Sequence, residues 1–568
     1  MDAGASTENF DLIVLGAGGA GLSTALFGAI EGLKTLVIEH TSFVGGTTAL
    51  SAGSLWIPGT DAGRAVNPED SFANALAYLR ACSGAAGDEA MQRRFLQMAP
   101  VAVATLEKSS DVHLRAFERH PDYLSDLEGA TSCGRVLEAL PFDGRELGPD
   151  IDLIRPPIRE FTLMGGMMVD RTDIGHLLNA ARSLRSFRHA TGLIARHLVD
   201  RIQGRRSSRL VMGNALIGRL LASLAKRGVQ IWRDTEVLAL TGDRARVTGV
   251  VVKREGRELA LTARAGVVLA GGGFIGNDAM RQQFLPDVVS YGPGAPTGSG
   301  KLIELALALG AGLGNEGNGH AFWAPVSVRT RANGSRAVFP HFVLDRAKPG
   351  TVVVNQSGRR FLNESTSYNL FGKAMIAANG INPSIPAFLI ADQHALTKYG
   401  LEMIRPGGWG ARGARLDGYL VSAATIEGLA RLLGIDAAHL AGTVARLNGF
   451  ASAGIDEDFR RGTTVYERNL GDPSVGPNPT LGPIEQPPFH AIKLYPGEIG
   501  TSTGLLTDRD ARVLAQGKPI PGLFAVGNDM HSIMGGAYPG PGITLGPAIV
   551  FAYVTASAAA ADISASNH

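Results

Sequence analysis

Asp11-Leu12-Ile13-Val14-Leu15-Gly16-Ala17-Gly18-Gly19-Ala20-Gly21 is an apolar run that opens into Gly16-x-Gly18-x-x-Gly21. An Ala/Leu-rich segment follows, then Leu36-Val37-Ile38-Glu39, a second apolar run closing on an acid. Strand, glycine turn, helix, strand and acid, in that order, make a βαβ dinucleotide site. Gly16 permits the tight turn, Gly18 lets a pyrophosphate approach the main chain, and Gly21 lets the helix pack close to the strand. The helix N-terminus then faces the phosphates, and Glu39 stands where ribose hydroxyls are met. The motif by itself does not separate NAD from FAD.

With 568 residues the chain has room for more than one lobe. Apolar residues at 45% and charged ones at 19% are the balance of a globular protein. Gly, at 74 residues, is nearly twice as frequent as average usage of about 7% gives, which implies many βα turns and close backbone approaches. A formal charge of +2 argues against a nucleic-acid partner. Cys82 and Cys133 have no C-x-x-C spacing, so neither a disulfide framework nor a cysteine metal site is expected. No secretory signal is expected around Asp2 and Glu8, and a cytoplasmic setting follows as the default. Ile543 to Ile563 is the most membrane-like stretch, but Pro547 and its many small residues fit a buried helix better.

The run Gly45-Gly46-Thr47-Thr48-Ala49-Leu50-Ser51-Ala52-Gly53-Ser54-Leu55-Trp56-Ile57-Pro58 offers small and hydroxylated side chains able to lie along a flavin. It resembles the flavin-side segment of the succinate dehydrogenase and fumarate reductase flavoprotein superfamily, and its Ser-x-Trp-Ile-Pro ending is similar to the 3-ketosteroid Δ1-dehydrogenase branch. Covalent members of that superfamily attach the flavin through a histidine here. This stretch has none, so non-covalent FAD is expected. Val267-Val268-Leu269-Ala270-Gly271-Gly272-Gly273-Phe274 resembles the second flavin segment of two-dinucleotide flavoproteins.

The resemblance implies an α/β fold: a Rossmann-like FAD-binding domain of the two-dinucleotide type with an inserted α+β catalytic or capping domain. The expected division is 1–327 and 497–568 for FAD binding and 328–496 for the cap, with a basic helical insertion at about 151–208. Cofactor contacts are expected from Gly16, Gly18, Gly19, Ala20 and Gly21, from Glu39 and His40, and from Gly46, Thr47, Thr48, Ser51, Ala52 and Gly53. Further contacts are expected from Val237, from Ala270, Gly271, Gly272 and Asn277, and from Gly527, Asn528, Asp529, Gly542, Thr544 and Leu545.

In the cap, Val352-Val353-Val354-Asn355-Gln356-Ser357-Gly358-Arg359-Arg360-Phe361-Leu362-Asn363-Glu364 reads as strand-turn-strand and resembles a superfamily signature. Tyr368 follows at the place of the branch's proton acceptor, and Tyr123 fits an active-site tyrosine more loosely. Near the C-terminus, Tyr538-Pro539-Gly540-Pro541-Gly542 supplies a fixed phenol and exposed backbone N–H groups, the parts needed to hold a ketone oxygen as it becomes enolate-like. The resemblance therefore implies proton abstraction by Tyr368, assisted by Tyr123, with Tyr538 and Gly542 polarising the ketone and hydride passing to flavin N5. A 3-ketosteroid is the expected substrate, with a smaller cyclic ketone as the alternative. A fumarate or enoate reductase of the same fold is the rival, but no arginine lies between Met530 and Pro547 to donate a proton. A quinone or other carrier is expected as electron acceptor, and no metal.

Leu177, Ala181, Leu184, Phe187, Thr191, Ile194, Leu198 and Ile202 recur at three- and four-residue steps, which predicts one apolar helical face. Arg182, Arg185, Arg188, Arg196, Arg201, Arg205, Arg206 and Arg209 surround it. Two readings stay open: a helix docked on its own protein with a solvated basic face, or peripheral contact of the 177–209 helix with an anionic membrane surface.

Overall fold

The computed structural model describes residues 8–342 and 345–566. Its larger sheet is laid out by the N-terminal fingerprint. Glu8–Leu15 runs parallel to Thr35–Ile38 on one side and to Arg257–Leu269 on the other. Gln230–Trp232 extends the sheet beyond Thr35–Ile38, and Lys518–Ala525 pairs with Val267 to Leu269. Leu12 to Leu15 are buried completely or to within 1%, as a central parallel strand covered on both faces requires. The first half of Arg257–Leu269 turns instead into an antiparallel meander with Val247–Arg254 and Thr235–Gly242.

Helices seal the parallel layer. Gly19–Ile30 links the first two strands, and both Met212–Lys226 and the C-terminal Leu545–Ser566 pack on it. Phe27 and Tyr553 meet edge to face at 5.3 Å across that junction. Leu545–Ser566 is long and apolar enough by composition to cross a membrane, yet Ile549 to Ala552 are fully buried against its neighbours.

The second sheet is antiparallel, in the order Arg336–Pro340, Ala321–Thr330, Phe489–Thr501, Ala387–Ala391, Thr351–Val354. Its strands run from Ala321 to Thr501 and so overrun the 328–496 span at both ends. Side chains alternate as a pleated strand demands. Val353, Leu389 and Ile492 face Phe371 and Met375, while Val352, Val354, Phe388 and Ile390 face Leu429 and Leu440 on the opposite side. Among the described residues, 355–367 add no second strand directly after Thr351–Val354. The chain turns at Asn355 to Gly358, and the buried ion pairs of Arg360 with Glu364 and Asp456, both 2.7 Å, hold the next residues without sheet pairing. Phe489–Thr501 carries the chain back to the first body, where Glu498 meets Arg281 at 2.5 Å.

The predicted single helix of residues 177–209 is two. Arg171–Leu178 ends at Asn179, and Ser183 caps Leu184–Ile202 by accepting from Ser186 N. The face turned inward holds Ser186, Ala190, Leu193, His197 and Asp200, so Leu184, Phe187, Leu198 and Ile202 are exposed at 75%, 53%, 47% and 85%. The polar residues face inward because they are tied down: Asp200 accepts from Ser208 N, and His189 pairs with Asp173 at 2.8 Å.

Arg281→Ala leaves Glu498 buried without its partner, and unfolding by urea should show a loss of about 3–5 kcal/mol. Arg264→Ala removes a pair whose arginine lies two-thirds in solvent, and should cost about 1 kcal/mol or less.

Candidate active site

Four tyrosines from four distant segments meet at the junction of the two bodies. Tyr368 opens the helix Tyr368–Asn379, which Ser367 caps by accepting from Leu370 N. Tyr123 lies in the loop after Leu114–Ala116, Tyr466 lies in the helix Val465–Leu470, and Tyr538 precedes Leu545–Ser566. The Tyr123 ring lies 5.3 Å from Tyr368, 4.8 Å from Tyr466 and 5.9 Å from Tyr538 by centroids. Tyr368 and Tyr538 are 5.3 Å apart, and Phe342 and Phe322 flank them. The expected pair Tyr368 and Tyr538 is thus brought together, and so is the loosely matched Tyr123. Tyr466 carries no local motif and was not foreseen.

A buried polar network fixes Tyr123. The neighbouring Asp122 accepts from Trp56 Nε1, from Arg135 Nη1, both at 2.8 Å, and from Thr131 N at 3.1 Å. Arg135 binds Asp70 with its other two nitrogens. Burial raises the Asp122 carboxyl to about 6, against the pull of Arg135 and Trp56. Tyr123 N and Tyr78 Oη both donate to Pro539 O, at 2.9 and 2.6 Å, so this loop and the Tyr538 loop are joined through one carbonyl.

Gly542 has φ +83°, and a Cβ there would sit 2.1 Å from Ser54 O. Its carbonyl accepts from Trp56 N and Gly546 N, while its own N–H has no acceptor among the described residues. A phenol at Tyr538 and an unspent amide at Gly542 are two donors of the kind that stabilise a developing oxyanion. Burial raises Tyr538 to about 12, the Tyr368 phenol opposing the shift. Burial, reinforced by Tyr123 and Tyr538, holds Tyr368 well above its ordinary value.

The expected cofactor residues converge beside this cluster. Gly45 N donates to Ala17 O, Gly19 N to Thr48 Oγ1, and Ala295 N to Thr47 Oγ1. Gly16, at φ +110°, passes Ala270 so closely that a Cβ would lie 2.3 Å from its carbonyl oxygen. Glu39 is buried and accepts from Ala17 N and Thr41 N, both at 2.9 Å, with His40 Nδ1 at 3.2 Å. Burial raises its pKa, and the bonds from His40, Ala17 and Thr41 lower it by more. Asp529 accepts from Gly271 N and Gly273 N at 2.6 and 2.8 Å, and burial raises it to about 6. Phe322, Gly527, Asn528, Ile543 and Thr544 line one cavity.

Other expected contacts have structural partners. Gly53 abuts Met212 and Gly213, Ser51 Oγ donates to Thr48 O, and Leu545 packs at Gly19. Ala52 is exposed, Gly46 lies over Gly18, and Ala20 takes part in the helix bond from Thr24 Oγ1. Val237 pairs with Val252 on the meander. Asn277 caps Asp278–Phe284, and its amide is spent on Ser299 O and Glu304.

The structure permits a direct test of fit. A Cβ added at Gly18 or Gly272 would meet nothing within 4 Å, so bare backbone faces open space both in the Gly16 to Gly21 turn and in the Gly271 to Gly273 turn, as close approach of a dinucleotide requires. The matching family model, FAD binding domain, spans residues 11–545. The chain belongs to this FAD-binding family. It is a 3-ketosteroid Δ1-dehydrogenase-like flavoprotein and an FAD-dependent oxidoreductase. The flavoprotein is 36% identical to 4-oxocyclohex-2-ene-1-carboxylate 5-dehydrogenase of Sinomonas cyclohexanicum, over 96% of this chain and 92% of that one. It is 34% identical to 3-oxosteroid 1-dehydrogenase of Mycolicibacterium smegmatis over 99% of both chains. The crystal structure of 3-ketosteroid Δ1-dehydrogenase from Sterolibacterium denitrificans, in complex with 1,4-androstadiene-3,17-dione, superposes with a TM-score of 0.90 at 35% identity, covering 98% of this chain and 100% of that one.

Asp122→Ala leaves Arg135 short of a partner and Trp56 Nε1 unsatisfied. Its unfolding free energy should fall by about 3–5 kcal/mol.

Proposed function

We propose that the flavoprotein is a 3-ketosteroid Δ1-dehydrogenase in which Tyr538 Oη and Gly542 N–H bind the ketone oxygen and Tyr368 removes the α-hydrogen as a proton. The observation that carries this reading is the meeting of Tyr368 and Tyr538, 170 positions apart by number (538 minus 368), beside an amide with no internal acceptor. Polarising the ketone acidifies the α-carbon, and the phenolate oxygen of Tyr368 takes its proton. The electron pair left behind becomes the new C=C bond as the β-hydrogen departs as hydride. Bound FAD supplies the acceptor for that hydride at N5. The glycine turn of Gly16 to Gly21, Glu39, the segment from Gly45 to Gly53, Gly271 to Gly273 and Asp529 would hold it, without a covalent link.

The character of the pocket favours a neutral ketone over a carboxylate-bearing one. The ring contacts are tyrosine and phenylalanine, and the buried guanidinium of Arg346 beside them gives its hydrogen bonds to backbone carbonyls. Anaerobic addition of a 3-ketosteroid should bleach the flavin. Bleaching by 4-oxocyclohexanecarboxylate alone would overturn the steroid assignment. Tyr368→Phe should keep its FAD and lose at least about a hundredfold in rate, the contribution typical of a general base. Acid precipitation should release the flavin into the supernatant.

The second partner is an anionic membrane surface, which would also give access to a quinone as electron acceptor. Leu184, Phe187, Leu198, Val199 and Ile202 are exposed on one helix, beside Arg182, Arg185, Arg188, Arg201 and Arg205, which have no acidic partner among the described residues. Apolar side chains ringed by unpaired arginines fit a lipid surface. The protein should float with phosphatidylserine vesicles and not with phosphatidylcholine ones, and a Leu184→Ser, Phe187→Ser pair should abolish flotation. Equal recovery with both vesicle types would contradict the role of the arginines.

A further inference from the structure

Arg346 is fully buried, yet it forms no ion pair among the described residues. Its Nε donates to His341 O at 3.0 Å, Nη1 to Glu364 O at 2.5 Å and to Thr366 O at 2.6 Å, and Nη2 to Phe342 O at 2.9 Å. The nearby Asp345 carboxylate faces elsewhere. Its Oδ2 lies 2.6 Å from His341 Nδ1, and its Oδ1 accepts the Arg346 backbone N–H. A desolvated cation whose hydrogen bonds all go to carbonyl dipoles, with Asp345 acting only at a distance, is costly to keep. Two of those carbonyls belong to the segment leading into Tyr368, so the same side chain also sets where that phenol starts.

Of the five guanidinium hydrogens, four are accounted for by these bonds, which leaves one on Nη2. Tyr466 Oη is buried with no close hydrogen-bond partner, and the Arg346 guanidinium interacts with it. Burial raises the Tyr466 phenol to about 12, with Glu467 and Tyr538 adding to the rise and Arg346 pulling it down. Burial, with Tyr466 and Tyr538, holds the Tyr123 phenol well above its ordinary value, while Tyr368 and Arg346 pull it down. The rings then step from Tyr466 to Tyr123 at 4.8 Å and from Tyr123 to Tyr368 at 5.3 Å. One positive charge thus stands at the end of a row of phenols whose far end is Tyr368.

We propose that Arg346 is a positioning residue that acts through Tyr466 and Tyr123: it anchors the backbone ahead of Tyr368 and supplies the positive charge that lets this row of buried phenols carry one negative charge. This inference rests on the proposed role of Tyr368 as base. The phenolate at Tyr368 is stabilised by donation from Tyr123, whose own oxygen is polarised by Tyr466 and Arg346. The proton taken from the substrate neutralises the row and ends on the Tyr368 oxygen.

The test is Tyr466→Phe in the FAD-loaded protein, which keeps the ring and every carbonyl contact of Arg346 while removing the hydroxyl. Two readouts are followed against pH: flavin reduction by a 3-ketosteroid in single turnover, and tyrosinate absorbance in an ultraviolet difference titration without substrate. The variant should hold FAD and bind ketosteroid within about twofold of the parent. Both the rising limb of flavin reduction and the lowest tyrosinate transition should move up by about one pH unit, a tenfold loss at a fixed pH below the limb. Unmoved limbs, or a loss of rate that higher pH does not recover, would overturn the inference. Because the titration needs no substrate, it decides the point even if no ketosteroid reduces the flavin, in which case the proposed function fails separately. Arg346→Lys should shift both limbs in the same direction. Should that variant fail to fold, Tyr466→Phe decides alone.

Discussion

Ionising a buried phenol carries a desolvation cost, and Tyr368, 6% exposed amid three further tyrosines and Phe342, meets that cost in full. In the proposed role of Tyr368 as base, the arrangement around it would offset this cost. A lone tyrosine in an apolar pocket would stay protonated at any working pH. Tyrosines packed ring against ring at 4.8 to 5.9 Å can pass hydrogen bonds along a row, and a row can end on a cation where a single ring cannot. The Asp122, Arg135 and Trp56 network and the shared Pro539 carbonyl serve the same end, holding loops from opposite ends of the chain in one register.

The nucleotide-binding sheet is the frame on which these loops are hung. Its central strands and the glycine turns between them bring residues near 16, 46, 271 and 529 to one face, and the antiparallel cap closes over that face from the other side. Phe489–Thr501 links the two, pairing with cap strands at its start and returning at its end to the nucleotide-binding body.

The fingerprint from Asp11 to Glu39 was legible because each residue in it answers a local backbone requirement, such as the close pass of Gly16 over Ala270. Tyr538 and Gly542 were legible for the same reason: a Pro/Gly loop states its geometry in its composition. Tyr466 and Arg346 were not. Their partners lie on other segments, and nothing in Val465-Tyr466-Glu467 distinguishes the ring from any helix tyrosine. The apolar periodicity from Leu177 to Ile202 was read correctly as a face and wrongly as one continuous helix. Ser183 caps a fresh helix, and the buried bonds of Asp173 and Asp200 turn the polar side in.

The central claim is that the ketone is held between a phenol and a backbone amide with a second phenol at its α-carbon. A crystal structure of the FAD-loaded protein with a 3-ketosteroid bound tests it most directly. The account predicts the ketone oxygen about 2.7–3.1 Å from both Tyr538 Oη and Gly542 N, with Tyr368 Oη facing the adjacent ring carbon. A ketone oxygen held elsewhere, with Tyr368 turned away from the ring, would contradict it.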